Sequence, residues 1–509
     1  MDISIGYIRL KFPLKVALHD VLVLEATGDT MATLGTAGVD VKLLPLLHGD
    51  IDVTGAQLND VTYRLGTPDS ALYLTAHVRS FDSKGANMNF TKGNIDVEHA
   101  SLDGADVRLI MKDTVAQEKN DTAASLPLKI HASKLQLSDI RYTMSMLPII
   151  DSLTAEIPSA VLEDGIVDME TQSIHARYLR VDSIAASYLT PSAQYLSEHP
   201  QTPVTSADTT EISAPWSITA DSLRLTARTA LYAMRDAKPL PGLDMNYIQV
   251  NDVAIAVDSF FNRATSITVP LKELHATERC GVQLKAHGTF SMDSTAMHAQ
   301  GFEFSTLFSR IKLDAMMGMG SLVTDPNLPL WIKAEGNVGL TDIEQIMPMA
   351  KTMLRDVPRS NGLLLNADIQ GTASKLNVNN ISVSLPRYLA IKANGSVSHP
   401  MDAKQISGKV NLTGSLTDIN FAKNMALDKS TAKLLTIPPM KLNGDITYAP
   451  AGASGKISAY AAGGELAMNG KWIKKAQGYN ASVSFDKFPV QAFMPSLGIG
   501  PLTGSCLLY

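Results

Sequence analysis

The stretch "LLPLLHGDIDVTGAQLNDVTYRL", Leu43 to Leu65, carries the pattern by which the rest of the chain can be read. After an apolar knot closed by His48 and Gly49, apolar and polar residues alternate. Successive side chains of a strand point to opposite faces, so Ile51 and Val53 share one face, as do Val61, Tyr63 and Leu65. Between the two runs stand Asn59 and Asp60, residue types that favour turns. The stretch predicts a hairpin with one apolar side.

The pattern recurs in "IDVEHASLDGADVRLIM" (Ile95 to Met111) and "LKIHASKLQLSDIRYTM" (Leu128 to Met144). Each has a strand-like run, a leucine followed by turn chemistry, and a second run that begins with Val or Ile. The copies are irregularly spaced, which argues for β units with variable loops rather than a strict solenoid. Segments such as "WSITADSLRLTART", "LWIKAEGNVGL" and "QISGKVNLTGSL" extend the pattern with no βαβ rhythm. The expected fold class is therefore mainly β: an elongated, curved antiparallel β-sheet forming a repeating β-groove, or half-pipe, with a few short helices.

The clearest helix is "LTDIEQIMPMAKTMLRD", Leu340 to Asp356, with Asp342 as its candidate N-cap and Pro348 predicted to kink or split it. "DINFAKNMALDKSTAKLL" and "FPVQAFMPSLG" are weaker helical segments. Two polar stretches, Lys112 to Ser125 and Ser197 to Ser213, lack periodicity and read as exposed, mobile loops. The expected organisation is an N-terminal β region over 1–112, groove repeats with polar loops over 113–214, and further groove repeats with short helices over 215–509.

Composition narrows the function classes. The 509 residues are 45% hydrophobic and 18% charged with a net charge of -6, far from the basic balance of a nucleic-acid binder. Two cysteines, Cys280 and Cys506, exclude a disulfide framework or a multi-cysteine zinc site. No run of about 20 apolar residues occurs, and "MDISIGYIRLKFPLKVAL" opens directly on strand-like alternation. Either the protein is cytosolic or its targeting segment lies outside this chain.

Catalytic signatures are missing from the sequence: no H-E-x-x-H, G-x-S-x-G, P-loop or C-x-x-C occurs. The glycines from Gly498 to Gly504 lack both the spacing and the strand-to-helix context of a dinucleotide fingerprint. The eleven histidines, among them His48, His131, His175 and His275, are scattered without ligand-like spacing, so no metal or other cofactor is expected. Acidic residues are abundant at turns, and a carboxylate pair remains open at this stage. Methionine clusters such as "LDAMMGMGSL" suit core filling or an adaptable apolar surface. A non-enzymatic role is expected.

The sheet itself is the unusual quantity. About 30 strands at ~4.8 Å would run ~140 Å, and strands of about seven residues would give a ribbon ~23 Å wide. An uncovered apolar face of that area needs an apolar occupant in water, and acyl chains are the natural one. The repeats nominate Ile51, Val53, Val61, Tyr63, Leu65, Ile95, Val97, Val107, Leu109, Ile130, Leu135, Leu137, Ile140 and Tyr142 as lipid-groove positions. The predicted turns shift the phase between runs, so which of these face inward is open, and packing beneath helices is the plain alternative.

The region Ile3 to Leu65 resembles the N-terminal part of AsmA-like proteins, through Asp20-Val21-Leu22, Leu43-Leu44-Pro45-Leu46-Leu47-His48-Gly49 and Ile51 to Asp60. The downstream strands and "FDKFPVQAFMPSLGIGPLTG" (Phe485 to Gly504) resemble the TamB-type branch in its Bacteroidetes-like form. The resemblance implies a translocation and assembly module protein of a Gram-negative cell envelope, periplasmic and anchored in the inner membrane. Its repeating β-groove would carry phospholipids toward the outer membrane, and an Omp85-type outer-membrane partner is implied. The family's N-terminal membrane helix and C-terminal domain have no counterpart here, so the chain reads as a fragment.

A different class is an assembly scaffold that aids outer-membrane protein insertion by pairing its β-edges with partner strands. A transmembrane barrel ranks lower, because aromatic residues are only 6% and form no girdles. A β-helical polysaccharide enzyme is disfavoured by the irregular repeat.

Overall fold

The computed structural model describes residues 2–11, 15–25, 28–42, 53–68, 70, 72–89, 93–112, 128–147, 151–192, 198, 216–320, 325–400, 402, 404–423, 434–474 and 478–508. The protein is mainly β, with 25 strands and a few short helices among these residues. It divides into two units, Met1–Arg279 and Cys280–Tyr509.

Unit 1 holds β1 (Asp2–Lys11), β2 (Lys15–Leu24), β3 (Thr30–Val41), β4 (Val53–Leu65), β5 (Leu72–Asn89) and β6 (Asn94–Lys112). It continues with β7 (Lys129–Leu147), β8 (Asp151–Asp168), β9 (Ser173–Thr190), β10 (Ser217–Met234), β11 (Tyr247–Arg263) and β12 (Ser266–Glu278). Each strand pairs with the next in sequence, and most pairs are antiparallel. Two pairs differ from the all-antiparallel expectation: β6 with β7, and β9 with β10, run parallel. A parallel pair needs a crossover of about a dozen residues or more, and the connections 113–128 and 191–216 have that length. The polar stretches predicted as loops belong to these connections and fall almost wholly outside the described residues.

The strands are also longer than expected. β6 and β7 have 19 residues each, about 60 Å at ~3.3 Å per residue, not the seven-residue, ~23 Å ribbon. The excess has one cause. Asn59-Asp60, Asp103-Gly104 and Ser138-Asp139 do not close hairpins; they lie inside β4, β6 and β7. Asp60 (φ 55°), Gly104 (φ 69°) and Asp139 (φ 52°) take the left-handed conformation for a single residue, and the strand then continues. A residue in this conformation bends the strand and advances its alternation by one, and because each neighbouring strand also carries one residue at that point the register is kept.

These positions align across unit 1. The register places Gly6, Asp20, Gly35, Asp60, Arg79, Gly104 and Asp139 side by side on β1 to β7, followed by Pro158 on β8 and Ser183 on β9. A second line runs through Gly85, Glu98, Ser133, Asp164, Arg177, Asp221 and Ser259. The two lines crease the long strands into three facets.

Unit 2 holds β13 (Gln283–Met292), β14 (Ala296–Ser305), β15 (Arg310–Gly318), β16 (Pro329–Gly339), β17 (Gly362–Thr372), β18 (Lys375–Leu385) and β19 (Leu389–Ser398). Then come β20 (Ser407–Leu416), β21 (Met440–Ala449), β22 (Gly452–Ala461), β23 (Gly464–Ile473), β24 (Gly478–Phe488) and β25 (Leu502–Leu508). Consecutive strands pair antiparallel throughout.

The predicted split helix forms as Leu340–Ile346 and Ala350–Met353, interrupted at Met347 and Pro348, which has no N–H to continue the ladder. Asp342 is not its N-cap; Gly339 is. Asp342 instead lies in the first turn, buried, and accepts the hydroxyls of Thr306 and Ser309. Of the weaker helical segments, the first has a 3-10 turn at Asn420–Ala422 and helical residues at Lys423 and Leu434, with 424–433 outside the described set, and the second forms Val490–Phe493 with Pro495–Leu497.

Neither unit closes a conventional core. Among the described residues the buried hydrophobic side chains are chiefly alanine and valine. The largest fully buried side chains among the described residues, Leu328 and Leu340, both belong to unit 2.

Candidate functional site

Residues paired across a sheet share a face, so the register fixes which side chains gather. One row of unit 1 runs Ile8, Leu18, Ala37, Leu58, Phe81, Leu102, Leu137, Ala160, Val181, Leu225, Ile255 and Leu274. It is apolar on every strand and spans about 50 Å at ~4.8 Å per strand. The next row along the strands is polar: Thr36, Asn59, Ser80, Asp103, Ser138, Ser159 and Asp182. One face is thus apolar strand after strand, and the other is mostly polar, with Ile110, Val161 and Ile166 among its apolar members.

The creases preserve this division. On β7 the apolar positions are Ile130, Ala132, Leu135, Leu137, Ile140, Tyr142, Met144 and Met146, a step of three at each crease and of two elsewhere. On β6 the same face carries Ile95, Val97, Ala100, Leu102, Ala105, Val107, Leu109 and Met111, with the same steps, and Ile110 is the one aliphatic residue on the other face. Packing confirms that the step of three returns to the same face: Val97 and Ala100, on either side of a crease, share a cluster with Ala86, Phe81, Ile95 and Leu135. Val250 and Val253 flank another crease and pack together with Ala227, Leu225 and Ile184.

Thirteen of the fourteen nominated positions therefore lie on one face. Val53, Ile95 and Ile130 form one row; Val61 and Ile140 belong to another, and Tyr63, Val107 and Tyr142 to a third. Leu65 and Leu109 share the row beyond, Val97 sits beside Ala86, and Leu135 and Leu137 follow on the middle facet. Ile51 lies outside the described residues. Among the described residues of unit 1 only Glu198 is helical. Most are half-buried by neighbours on their own sheet, while Val53 and Val97 are buried. The middle-facet row of Leu58, Phe81 and Leu102 was missed, because period-two counting fails across the creases. The signal that finds it is an Asp or Gly at which the apolar step becomes three.

The opposite face is held by ion pairs at the creases. Arg79 donates to Asp103 (2.9 Å) and Asp139 (2.7 Å), and Arg177 to Glu163 (2.8 Å) and Asp164 (2.5 Å). Asp258 accepts from Arg224 (3.0 Å) and pairs with Lys272 (3.3 Å). The Ser138 hydroxyl, then Arg79, holds the Asp103 carboxyl below the usual carboxylate range. These groups are exposed, so each pair contributes modestly to stability and chiefly orients the crease. At the end of the apolar face, Tyr188 stacks on Tyr232 (6.0 Å) and donates to Asp151 (2.9 Å), which raises its pKa and keeps it a neutral donor.

Unit 2 repeats the arrangement with shorter strands. Ala334, Ala367, Ile381, Ala393, Leu412, Gly444, Ile457, Met468 and Val483 form one row. Beside it, Gly455 and Gly470 leave a depression of about 260 Å³, walled by Ile446, Ile457, Met468 and Trp472. Met468 and Trp472 are exposed. At one end of the face, Leu340, Val357 and Leu385 pack with Ile343, Leu354, Leu363, Leu389 and Phe421, so the split helix covers the tips of β17 to β19.

Among the described residues no group of three or more His, Cys, Asp or Glu could hold a metal ion, and no helix is long and apolar enough to cross a membrane. Comparison with family models, curated proteins and solved structures finds no match. The geometry itself offers a long apolar face, one side chain deep, backed by a mostly polar face.

Proposed function

We propose that the chain is a bridge-like lipid-transfer protein of a Gram-negative envelope, conducting phospholipids between inner and outer membranes along this apolar face. The observation that carries the reading is the apolar row across all twelve strands of unit 1. Burying apolar area is worth roughly 25 cal/mol per Å², so a face of half-exposed Leu, Ile, Val and Phe favours acyl chains laid across it. Lipid tails would cross neighbouring strands from row to row while headgroups stay in water, and no step requires a reactive residue or a cofactor. In this reading the intact protein is periplasmic and anchored in the inner membrane, with an Omp85-type partner at the outer membrane.

A second reading, an assembly scaffold that pairs its edge with partner strands, has one observation in its favour. Edge strand β1 leaves Ile3, Tyr7, Ile8 and Leu10 well exposed. A photo-crosslinking amino acid separates the two. Placed at Leu102 it should capture phospholipid, and placed at the neighbouring Ser101, on the polar face, it should not. Equal capture at both positions, or capture of protein alone at Leu102, would remove the conduit.

A further inference from the structure

Residues 235–246 connect β10 to β11 and hold Leu240, Leu243 and Met245 in solvent, at 62%, 40% and 68% exposure. The loop that carries them is braced. Asp244, 7% exposed, accepts the backbone N–H groups of Leu240 (3.0 Å) and Asn246 (2.9 Å). Arg279 reaches from the end of β12 and donates to the carbonyl oxygens of Leu240 (2.7 Å) and Gly242 (2.9 Å). Its guanidinium lies over the Tyr247 ring, 5.9 Å from the centroid. Pro239 and Pro241 restrict the backbone further. Three apolar side chains are thus presented in a set conformation, and binding through them costs little ordering entropy.

The occupant follows from area and residue type. One short loop with three such side chains offers a few hundred Å² at most, against the ~1,200–2,000 Å² of a stable protein interface. Leucine and methionine are also not the Trp, Tyr and Arg that dominate protein hot spots. A bilayer demands no matching shape, since each inserted side chain contributes by its own burial. Arg279 offsets Asp244, and exposed Arg235 and Lys238 outnumber Asp236, so the braced loop keeps one net positive charge, which adds a weak attraction to an anionic lipid surface. We propose that the braced loop 235–246 is a bilayer-docking element that seats Leu240, Leu243 and Met245 in the interfacial layer of an anionic phospholipid membrane. This contact is separate from the apolar sheet face and does not rest on lipid transport along it.

The test is flotation of the full chain with vesicles of phosphatidylethanolamine and phosphatidylglycerol. Leu240→Glu, Leu243→Glu and Met245→Glu should each weaken partitioning about tenfold, and the triple variant should stay at the bottom of the gradient. All should keep the wild-type circular dichroism and lipid load. Leu243→Trp should float normally and shift its emission to the blue on adding vesicles. A wild-type chain that does not float overturns the proposal whatever lipid it carries, as does a triple variant that floats like wild type. A Leu243→Trp emission unmoved by vesicles, with crosslinking from that position only to protein, overturns it as well. Lost flotation with retained lipid separates this contact from the sheet face.

Discussion

Gly104→Ala tests whether the creases are set by backbone conformation. Gly104 sits at φ 69°, where an L-residue costs about 1–2 kcal/mol. An added Cβ would also stand 2.6 Å from Arg79 Cζ. The substitution is therefore best made in an Arg79→Ala background, which removes that collision and leaves the conformational cost alone. Gly104→Ala should then lower the unfolding free energy of unit 1 by about 1–2 kcal/mol. Gly104→Asn should cost less, although asparagine is larger, because it tolerates the left-handed region. Urea unfolding gives the free energies, and hydrogen exchange over residues 72–112 localises the effect. Alanine without cost, or asparagine as costly as alanine, would refute the claim that left-handed residues hold the creases.

Ile130→Glu places a charge on the apolar face at a half-buried position; native mass spectrometry should show reduced bound lipid with an unchanged circular dichroism spectrum. Asp342→Ala leaves the hydroxyls of Thr306 and Ser309 without their buried acceptor and should cost unit 2 about 1–3 kcal/mol, read by urea unfolding and by faster exchange at residues 306–309. The Thr295 hydroxyl and the N–H groups of Thr295 and Ala296 hold the Asp293 carboxyl down to about 2. A carboxyl depressed by folding stabilises fully above its unfolded value, near 4, and that stability is lost as pH falls through about 2. The turn between β13 and β14 should therefore loosen between about pH 4 and pH 2, and Asp293→Asn should abolish this pH dependence in its amide exchange.

The alternation from Val53 to Leu65 was legible because a half-buried strand writes its face into every second residue. Asn59-Asp60 misled because Asp serves equally in a turn and as a single left-handed residue inside a strand, and local sequence does not say whether the chain reverses or continues. What decides is the neighbouring strand: Asp60 finds Gly35 beside it and Arg79 on the other side, an arrangement visible only in register. The parallel pairs were hidden for a related reason, since a polar connection of given length serves a hairpin or a crossover alike. The described nominated positions share a face despite the misread turns, because each left-handed residue moved the following run back onto the face from which a period-two count had removed it. Val53 and Val97 are the exceptions in kind: buried at 5% and 8% exposure, they belong to the packing of the sheet, so Val53→Asp should destabilise the fold itself.

The central claim, that the in-register apolar face holds acyl chains, is tested most directly by native mass spectrometry of the purified chain followed by lipid extraction. The account predicts several phospholipids per chain, fewer when Leu102 and Leu137 on the middle facet are replaced by glutamate. A lipid-free, monodisperse chain whose fold is unchanged would contradict it.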